Sequence, residues 1–228
     1  MSRVLVVEDD PQLLRALTIN LRARGYEVDA AADGATALSL AAARMPDAVL
    51  LDLGLPDIDG LDVITGLRGW SCVPVLVVSA RRAEGEKIQA LDTGADDYLT
   101  KPFSMEELLA RLRVALRHQE CAPPAGGAPR VVRTDDFTID LMAKKATRHG
   151  RDIRLTPTEW HLLEALLRDP GKLISQQQML QEVWGPGHSG KTNYLRVYMA
   201  QLRRKLEADP SHPRHLITEP GMGYRFEE

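Results

Sequence analysis

Along the first half of the chain, short apolar runs alternate with stretches of helical spacing. The runs fall at 3–7, 26–31, 48–51, 73–79 and 97–99. The first helical stretch opens at Pro11, carries Leu13, Leu14, Leu17, Ile19 and Leu21, and stops near Gly25. Others are predicted at about 34–43, 61–69, 84–93 and 105–116. The run Ala48-Val-Leu-Leu51 has no polar alternation, as in a strand covered on both faces. Five strands alternating with five helices predict an α/β, doubly wound, five-stranded parallel sheet over residues 1–118.

The pattern then changes. Ala122-Pro-Pro-Ala-Gly-Gly-Ala-Pro129 contains no large apolar residue and reads as a flexible linker, placed at 119–129. Residues 130–228 form a second domain in this reading. Strand-like segments at 131–132, 137–141, 145–148 and 153–155 include a turn at His149-Gly150. Thr156-Pro-Thr-Glu159 is a capping box that opens a helix, and Ser175 opens a second. A third helix is predicted at about 193–207. Residues 216–218 and 224–226 flank Glu219-Pro-Gly-Met-Gly223 as a hairpin. Three helices and a hairpin predict an α+β winged helix, which places one helix in the major groove of double-stranded DNA. The third helix is the candidate. Its exposed positions are read as Asn193, Tyr194, Arg196, Tyr198, Gln201, Arg203, Arg204 and Lys205, and between Lys191 and Lys205 there is no acidic residue.

Composition narrows the class. The 228 residues are 44% hydrophobic and 27% charged, ordinary for a globular protein, and no apolar run reaches the roughly 18 residues of a membrane-spanning helix. The segment MSRVLVVEDD meets an acidic cluster at once and does not read as a signal peptide. Cys72 and Cys121 are too few for a disulfide framework or a zinc site, so a cytoplasmic location is expected. The net charge of −3 divides unevenly: residues 1–118 hold 13 Lys/Arg against 18 Asp/Glu, and the remainder 16 against 14. That difference alone does not identify a nucleic-acid partner.

The candidate chemistry lies at the carboxyl ends of the predicted parallel strands, where such sheets bind ligands. Glu8 and Asp9 follow the first strand, Asp52 the third, Ser79 the fourth and Lys101 the fifth. Three carboxylates at one edge repel each other unless a cation joins them, and oxygen ligands that leave positions to water suit Mg²⁺. A lysine and a hydroxyl beside them suit a phosphoryl group. Acids also gather at helix N-termini for electrostatic reasons, which accounts for Glu8 or Asp10 singly but not for Ser79 and Lys101 at neighbouring strand ends. No GxGxxG or GxxxxGK[ST] motif is present to hold a nucleotide.

VLVVEDD, LLDLGLPDIDG, VPVLVVSA and GADDYLTKPF resemble the flavodoxin-like receiver domain of two-component response regulators. The resemblance implies that Asp52 accepts a phosphoryl group from a sensor histidine kinase, and that Glu8, Asp9 and Asp52 hold Mg²⁺. It implies that Ser79 is the switch hydroxyl, Lys101 the phosphate partner in a cis peptide with Pro102, and Tyr98 an aromatic that changes rotamer. It also implies a homodimer on activation, with cross-subunit pairs Lys87 to Glu107 and Asp97 to Arg111 around an apolar patch that includes Leu91. LTPTEWHLLEALLRDPGKLISQQQML, RVYMAQLRRKLE and GMGYRF resemble the effector domain of the OmpR/PhoB subfamily. EVWGPG and NYLRVYMAQLRRKLEADPSHPRHLITE are similar to its Kdp-type members, regulators of potassium transport. By that alignment Lys191, Arg196 and Arg203 contact phosphates, while Tyr194, Val197 and Gln201 take base-reading positions. Pro220 stands where many members carry a basic wing residue. RNA polymerase is an implied partner, a membrane is not, and the chain is expected not to be an enzyme in the usual sense. A phosphohydrolase with an aspartate nucleophile is the alternative, but it usually needs a second carboxylate two residues on, and that position is Gly54.

Overall fold

The computed structural model describes residues 1–81, 83–117, 131–185 and 192–228, so the expected linker and Lys191 lie outside the described residues. The chain divides into two compact units, Met1–Gln119 and Glu120–Glu228.

In the first unit, strands β1 (Arg3–Val7), β2 (Glu27–Ala31), β3 (Ala48–Leu51), β4 (Val75–Ser79) and β5 (Asp97–Thr100) form one parallel sheet in the order β2-β1-β3-β4-β5. Helices α1 (Pro11–Arg22), α2 (Gly34–Arg44), α3 (Gly60–Arg68), α4 (Glu84–Thr93) and α5 (Met105–Arg117) connect and follow the strands. Successive strand side chains point to opposite faces. Val4, Val6, Leu50, Leu76 and Val78 accordingly share a core with Leu17 and Leu21 of α1 and Leu108 and Leu112 of α5. The alternate residues Leu5, Val7, Val49, Leu51 and Val77 are equally buried, so the sheet is covered on both sides. Three helix starts and one helix end have a local cause. Asp10, Asp33 and Asp59 accept backbone N–H groups as the N-caps of α1, α2 and α3, and Gly94, at φ 119°, ends α4 in the left-handed region.

In the second unit, β6 (Val131–Arg133), β7 (Phe137–Asp140), β8 (Lys145–Arg148) and β9 (Arg151–Ile153) make an antiparallel sheet. The last of these lies two residues earlier than its sequence expectation, because the β8–β9 turn is tight: His149 and Gly150 both take positive φ, 48° and 76°. Helices α6 (Pro157–Arg168), α7 (Gln176–Trp184) and α8 (Thr192–Leu206) follow. Both α6 and α7 begin with a complete capping box, Thr156 with Glu159 and Ser175 with Gln178. The hairpin of β11 (Leu216–Glu219) and β12 (Gly223–Phe226) is joined by a two-residue strand that the sequence did not signal, β10 (Ile174–Ser175), in the order β10-β12-β11. Among the described residues, no helix is long and apolar enough to cross a membrane.

Candidate functional site: an acidic pocket and a recognition helix

Backbone hydrogen bonds extend the ladder just past the strand ends and fix the pocket. Asp52 N–H donates to Val7 O at 2.9 Å, Glu8 N–H to Ala31 O at 3.1 Å, and Lys101 N–H to Ser79 O at 2.9 Å. The side chains of Glu8, Asp52, Ser79 and Lys101 therefore start from one rigid edge. Lys101 Nζ lies 2.6 Å from Asp52 Oδ2 and 2.7 and 2.9 Å from the two oxygens of Glu8. Glu8, at 2% exposure, and Asp52, at 8%, are nearly withdrawn from water, whereas Asp9 is exposed. One oxygen from each of the three acids lies within 4.8 Å of the others, a spacing that fits a single hard divalent cation. The residues present thus suit the ion that the acids imply.

Burial raises the Glu8 carboxyl above its ordinary range, and the hydrogen bonds from Lys101 only partly oppose this. Burial works to lower the Lys101 ammonium, but Asp52 and Glu8 outweigh it and leave it raised. A carboxyl whose folded value exceeds its unfolded one contributes stability that is present at acid pH and lost as pH rises through the folded value. The variant Glu8→Gln removes that loss, while Lys101 keeps Asp52 as a partner. We expect it to match the wild type in acid and to be the more stable protein at neutral and alkaline pH. Urea midpoints across pH check this, and a variant that loses stability as pH rises would contradict it.

The loop after Asp52 is braced from two sides. Gly54 N–H donates to Asp52 Oδ1 at 3.1 Å. Asp57 accepts from Gly34 N–H at 2.8 Å and Ala35 N–H at 2.9 Å at the start of α2, and these bonds hold its carboxyl below the usual range. Gly60 lets the loop return on itself, since a Cβ there would lie 2.6 Å from Leu53 Cα and 2.7 Å from Asp52 O. Beside Ser79, Arg81 donates its N–H to the Ser79 hydroxyl at 3.3 Å and pairs with Asp59 at 3.1 Å. Tyr98 lies inside at 2% exposure and donates its hydroxyl to Arg81 O at 2.8 Å. Burial raises its phenol, and the Ser79 hydroxyl opposes that rise. The Lys101-Pro102 peptide is cis, as expected.

The surface formed by α4, β5 and α5 differs from the expectation. Leu91 is fully buried and contributes to the core, not to an exposed patch. Arg111 pairs within its own chain, with Asp97 at 2.7 Å and with Glu107, one helical turn earlier, at 2.7 Å. Burial works to lower this guanidinium, but the two carboxylates leave it raised. Lys87 Nζ stands 5.9 Å from the centroid of the Tyr98 ring.

The candidate recognition helix α8 also corrects its sequence reading. Tyr194, Tyr198 and Gln201 are buried at 7%, 0% and 5% exposure. Tyr198 packs against Trp184 with ring centroids 5.3 Å apart. An aromatic ring is mostly apolar body, and these three residues widen the core stripe of Leu195, Met199, Leu202 and Leu206. Arg203 is also engaged internally: it donates to Leu216 O at 2.9 and 2.6 Å and to the Thr218 hydroxyl at 2.6 Å, tying α8 to β11. Burial lowers its guanidinium. Lys205 reaches the fully buried Glu159 at 2.6 Å. The outward face that remains is Asn193, Arg196, Ala200 and Arg204, with Val197 half-buried beside them.

A lysine-clasped aspartate at the edge of a five-stranded parallel sheet, joined in one chain to a winged helix, defines a response regulator with a DNA-binding output. Family comparison places the response regulator receiver domain at residues 4–113 and the C-terminal domain of transcriptional regulatory proteins at 150–226. The chain is 59% identical to the transcriptional regulatory protein KdpE of Mycobacterium tuberculosis, with 100% of both chains covered. It is 50% identical to the KDP operon transcriptional regulatory protein KdpE of Escherichia coli, with 99% of each covered. Among solved structures, a RitR mutant matches with a TM-score of 0.83 at 26% identity, covering 100% of both chains. The response regulator DrrB of Thermotoga maritima, an OmpR/PhoB homolog, matches with a TM-score of 0.52 at 26% identity, also covering 100% of both. The chain belongs to the OmpR/PhoB-type response regulators, and its KdpE relatives match 99% or more of its length.

Proposed function

We propose that a sensor histidine kinase phosphorylates Asp52, and that the phosphorylated chain dimerises on a double-stranded DNA operator that controls potassium-transport genes. The observation that carries this reading is the clasp of Lys101 on Asp52 and Glu8. It places a cation directly against the aspartate, where it can move onto the incoming phosphoryl group. In the reaction a carboxylate oxygen of Asp52 attacks the phosphorus of a phosphohistidine, the P–N bond breaks, and an acyl phosphate forms. Glu8, Asp9 and Asp52 are the residues that would hold Mg²⁺, which when bound supplies positive charge to the phosphoryl oxygens. Ser79 then donates its hydroxyl to the phosphoryl group, and Tyr98 responds to that movement. The chain is the acceptor in this transfer and is consumed one for one, so it is not an enzyme in the usual sense.

On this reading, activation exchanges partners on the α4–β5–α5 surface. Arg111 leaves its own Asp97 and Glu107 for a second subunit, and Lys87 becomes available to Glu107. The pair that Lys87 makes with the exposed Glu107 contributes under about 1 kcal/mol, so it sets register more than affinity. Asn193, Arg196, Val197 and Arg204 face the DNA, RNA polymerase is the downstream partner, and the location is cytoplasmic. Sedimentation with and without a small phosphodonor in Mg²⁺ tests the dimer step. The phosphorylated chain is expected at twice the monomer mass, and an unchanged mass would refute that step.

The two arginines of α8 are expected to differ. Arg196→Ala should weaken binding to every sequence alike and lower the salt slope by about one. Arg203→Ala should instead lower the melting temperature of the C-terminal unit, because Leu216 O and Thr218 lose their donor. A salt titration together with thermal melts separates the two. The assignment fails if Arg203→Ala melts normally and Arg196→Ala leaves the slope unchanged.

A further inference from the structure

Away from the phosphorylation pocket, a second group of ligand-type side chains is buried in the C-terminal unit, where three segments distant in sequence meet. Asp136 precedes β7, Glu207 follows α8 and His215 precedes β11, at exposures of 8%, 0% and 3%. One carboxylate oxygen from each acid and one ring nitrogen of the histidine lie within 4.8 Å of one another. His215 Nδ1 is 2.9 Å from Glu227 O. A carbonyl only accepts, so Nδ1 carries the hydrogen of that bond. Nε2 is buried with no hydrogen-bond partner, and it stands 3.8 Å from Asp136 Oδ2.

We propose that Asp136, Glu207 and His215 bind a divalent first-row transition cation of the Zn²⁺ class. The surroundings resemble those of metal ligands, whose outer partners orient each donor. The Nδ1 bond to Glu227 fixes the tautomer and turns Nε2 inward. The ring is held edge-on to Phe137, with centroids 5.3 Å apart, and stacked on Phe226 at 6.2 Å. Backbone N–H groups aim both carboxylates. Asp136 Oδ2 accepts from Ala208, Glu207 Oε2 from Arg214, and Glu207 Oε1 from His215 and Leu216. An oxygen with one such bond keeps a lone pair, so Glu207 Oε2 and the Asp136 carboxylate can each still donate to a metal. Tetrahedral ligands about 2.0–2.1 Å from zinc stand roughly 3.3 Å apart, which the 3.8 Å separation reaches by a small contraction. A nitrogen donor with two carboxylates favours this class over Mg²⁺, and three protein ligands leave one position for water. The cation would pin the end of the recognition helix to the base of the wing.

The test strips the full chain with chelator, adds excess Mg²⁺ to fill the receiver pocket, and titrates with Co²⁺ and then Zn²⁺. The wild type is expected to take one equivalent, to give visible Co²⁺ bands of four-coordinate strength, and to melt at higher temperature when loaded. Asp136→Asn keeps an acceptor for Ala208 N–H, so it should fold yet bind at least about a hundredfold more weakly. Asp52→Asn should bind as the wild type does. Nitrogen NMR of His215 in the wild type gives a readout independent of any variant: Nε2 should shift on metal addition. No uptake by the wild type, equal uptake by Asp136→Asn, or an Nε2 that carries a proton in the presence of metal would overturn the proposal.

Discussion

Lys101→Ala is expected to slow phosphorylation of Asp52 by a small phosphodonor by two to three orders of magnitude, on the order of what removal of one preorganised charge costs at a transition state. The lysine contacts Asp52 at 2.6 Å and Glu8 at 2.7 Å, and no other cation is seen at those two acids among the described residues. Its removal also leaves two adjacent buried carboxylates without a counter-charge, a change that costs about 3 kcal/mol or more when such groups cannot reach water. The two effects separate in a double variant. Glu8→Gln in the Lys101→Ala background should return most of the stability, because one of the two like charges is gone. It should return none of the rate, because the cation facing the phosphoryl group is still missing. Phosphate incorporation and urea unfolding measured on the same samples check this. Recovery of both together would mean that Lys101 acts only through the fold.

Gly223→Ala is expected to abolish operator binding and leave phosphorylation intact. A Cβ at this position would lie 1.9 Å from Ile174 O, 2.8 Å from Ile174 C and 2.9 Å from Ser175 Cα. All three are backbone atoms, so no rotamer change relieves the contact. The strand pair that holds the wing, Ile174 with Tyr224 and Ser175 with Gly223, has to separate. A loss of about 4 kcal/mol or more belongs with the large values that such forced rearrangements produce. Met222 N–H keeps its bond to Glu219 O across the turn, so the hairpin can persist while its anchor on β10 is lost. Gel retardation should show no specific complex, and incorporation of phosphate at Asp52 should proceed at the wild-type rate. Normal operator affinity in this variant would show that the wing does not need β10.

The acidic pocket is readable in sequence because its chemistry is carried by position along strands. Glu8, Asp52, Ser79 and Lys101 each close an apolar run, and parallel pairing brings such ends to one edge whatever the sheet order. The helix starts were readable for a similar local reason, since Thr156 with Glu159 and Ser175 with Gln178 stand three residues apart. Contacts between distant segments leave no such trace. Asp57 caps a helix that begins 23 residues earlier, and Lys205 reaches Glu159 across 46 residues. Neither spacing carries a periodic signal. On α8, the polar atoms of basic and aromatic residues make them look like surface in the sequence. Arg203 and Lys205 instead satisfy groups of their own domain, and Tyr194 and Tyr198 bury their rings. The spacing of four between Glu107 and Arg111 marks the pairing within one helix that the structure shows, a pairing that the resemblance to a dimer interface does not reveal. The two-residue strand β10 is too short for any alternation to appear.

The central claim is that phosphorylation of Asp52 controls DNA binding. The most direct measurement is operator affinity for the wild type and Asp52→Asn, each with and without a small phosphodonor in Mg²⁺, with phosphate incorporation followed on the same samples. The account predicts that the wild type takes up one phosphate and tightens its operator binding at least about tenfold, or 1.4 kcal/mol. It predicts that Asp52→Asn stays folded, takes up none at that position and keeps its weaker affinity under both conditions. A variant that tightens on DNA as the wild type does, or a wild type that is phosphorylated at Asp52 with no change in affinity, would contradict the account.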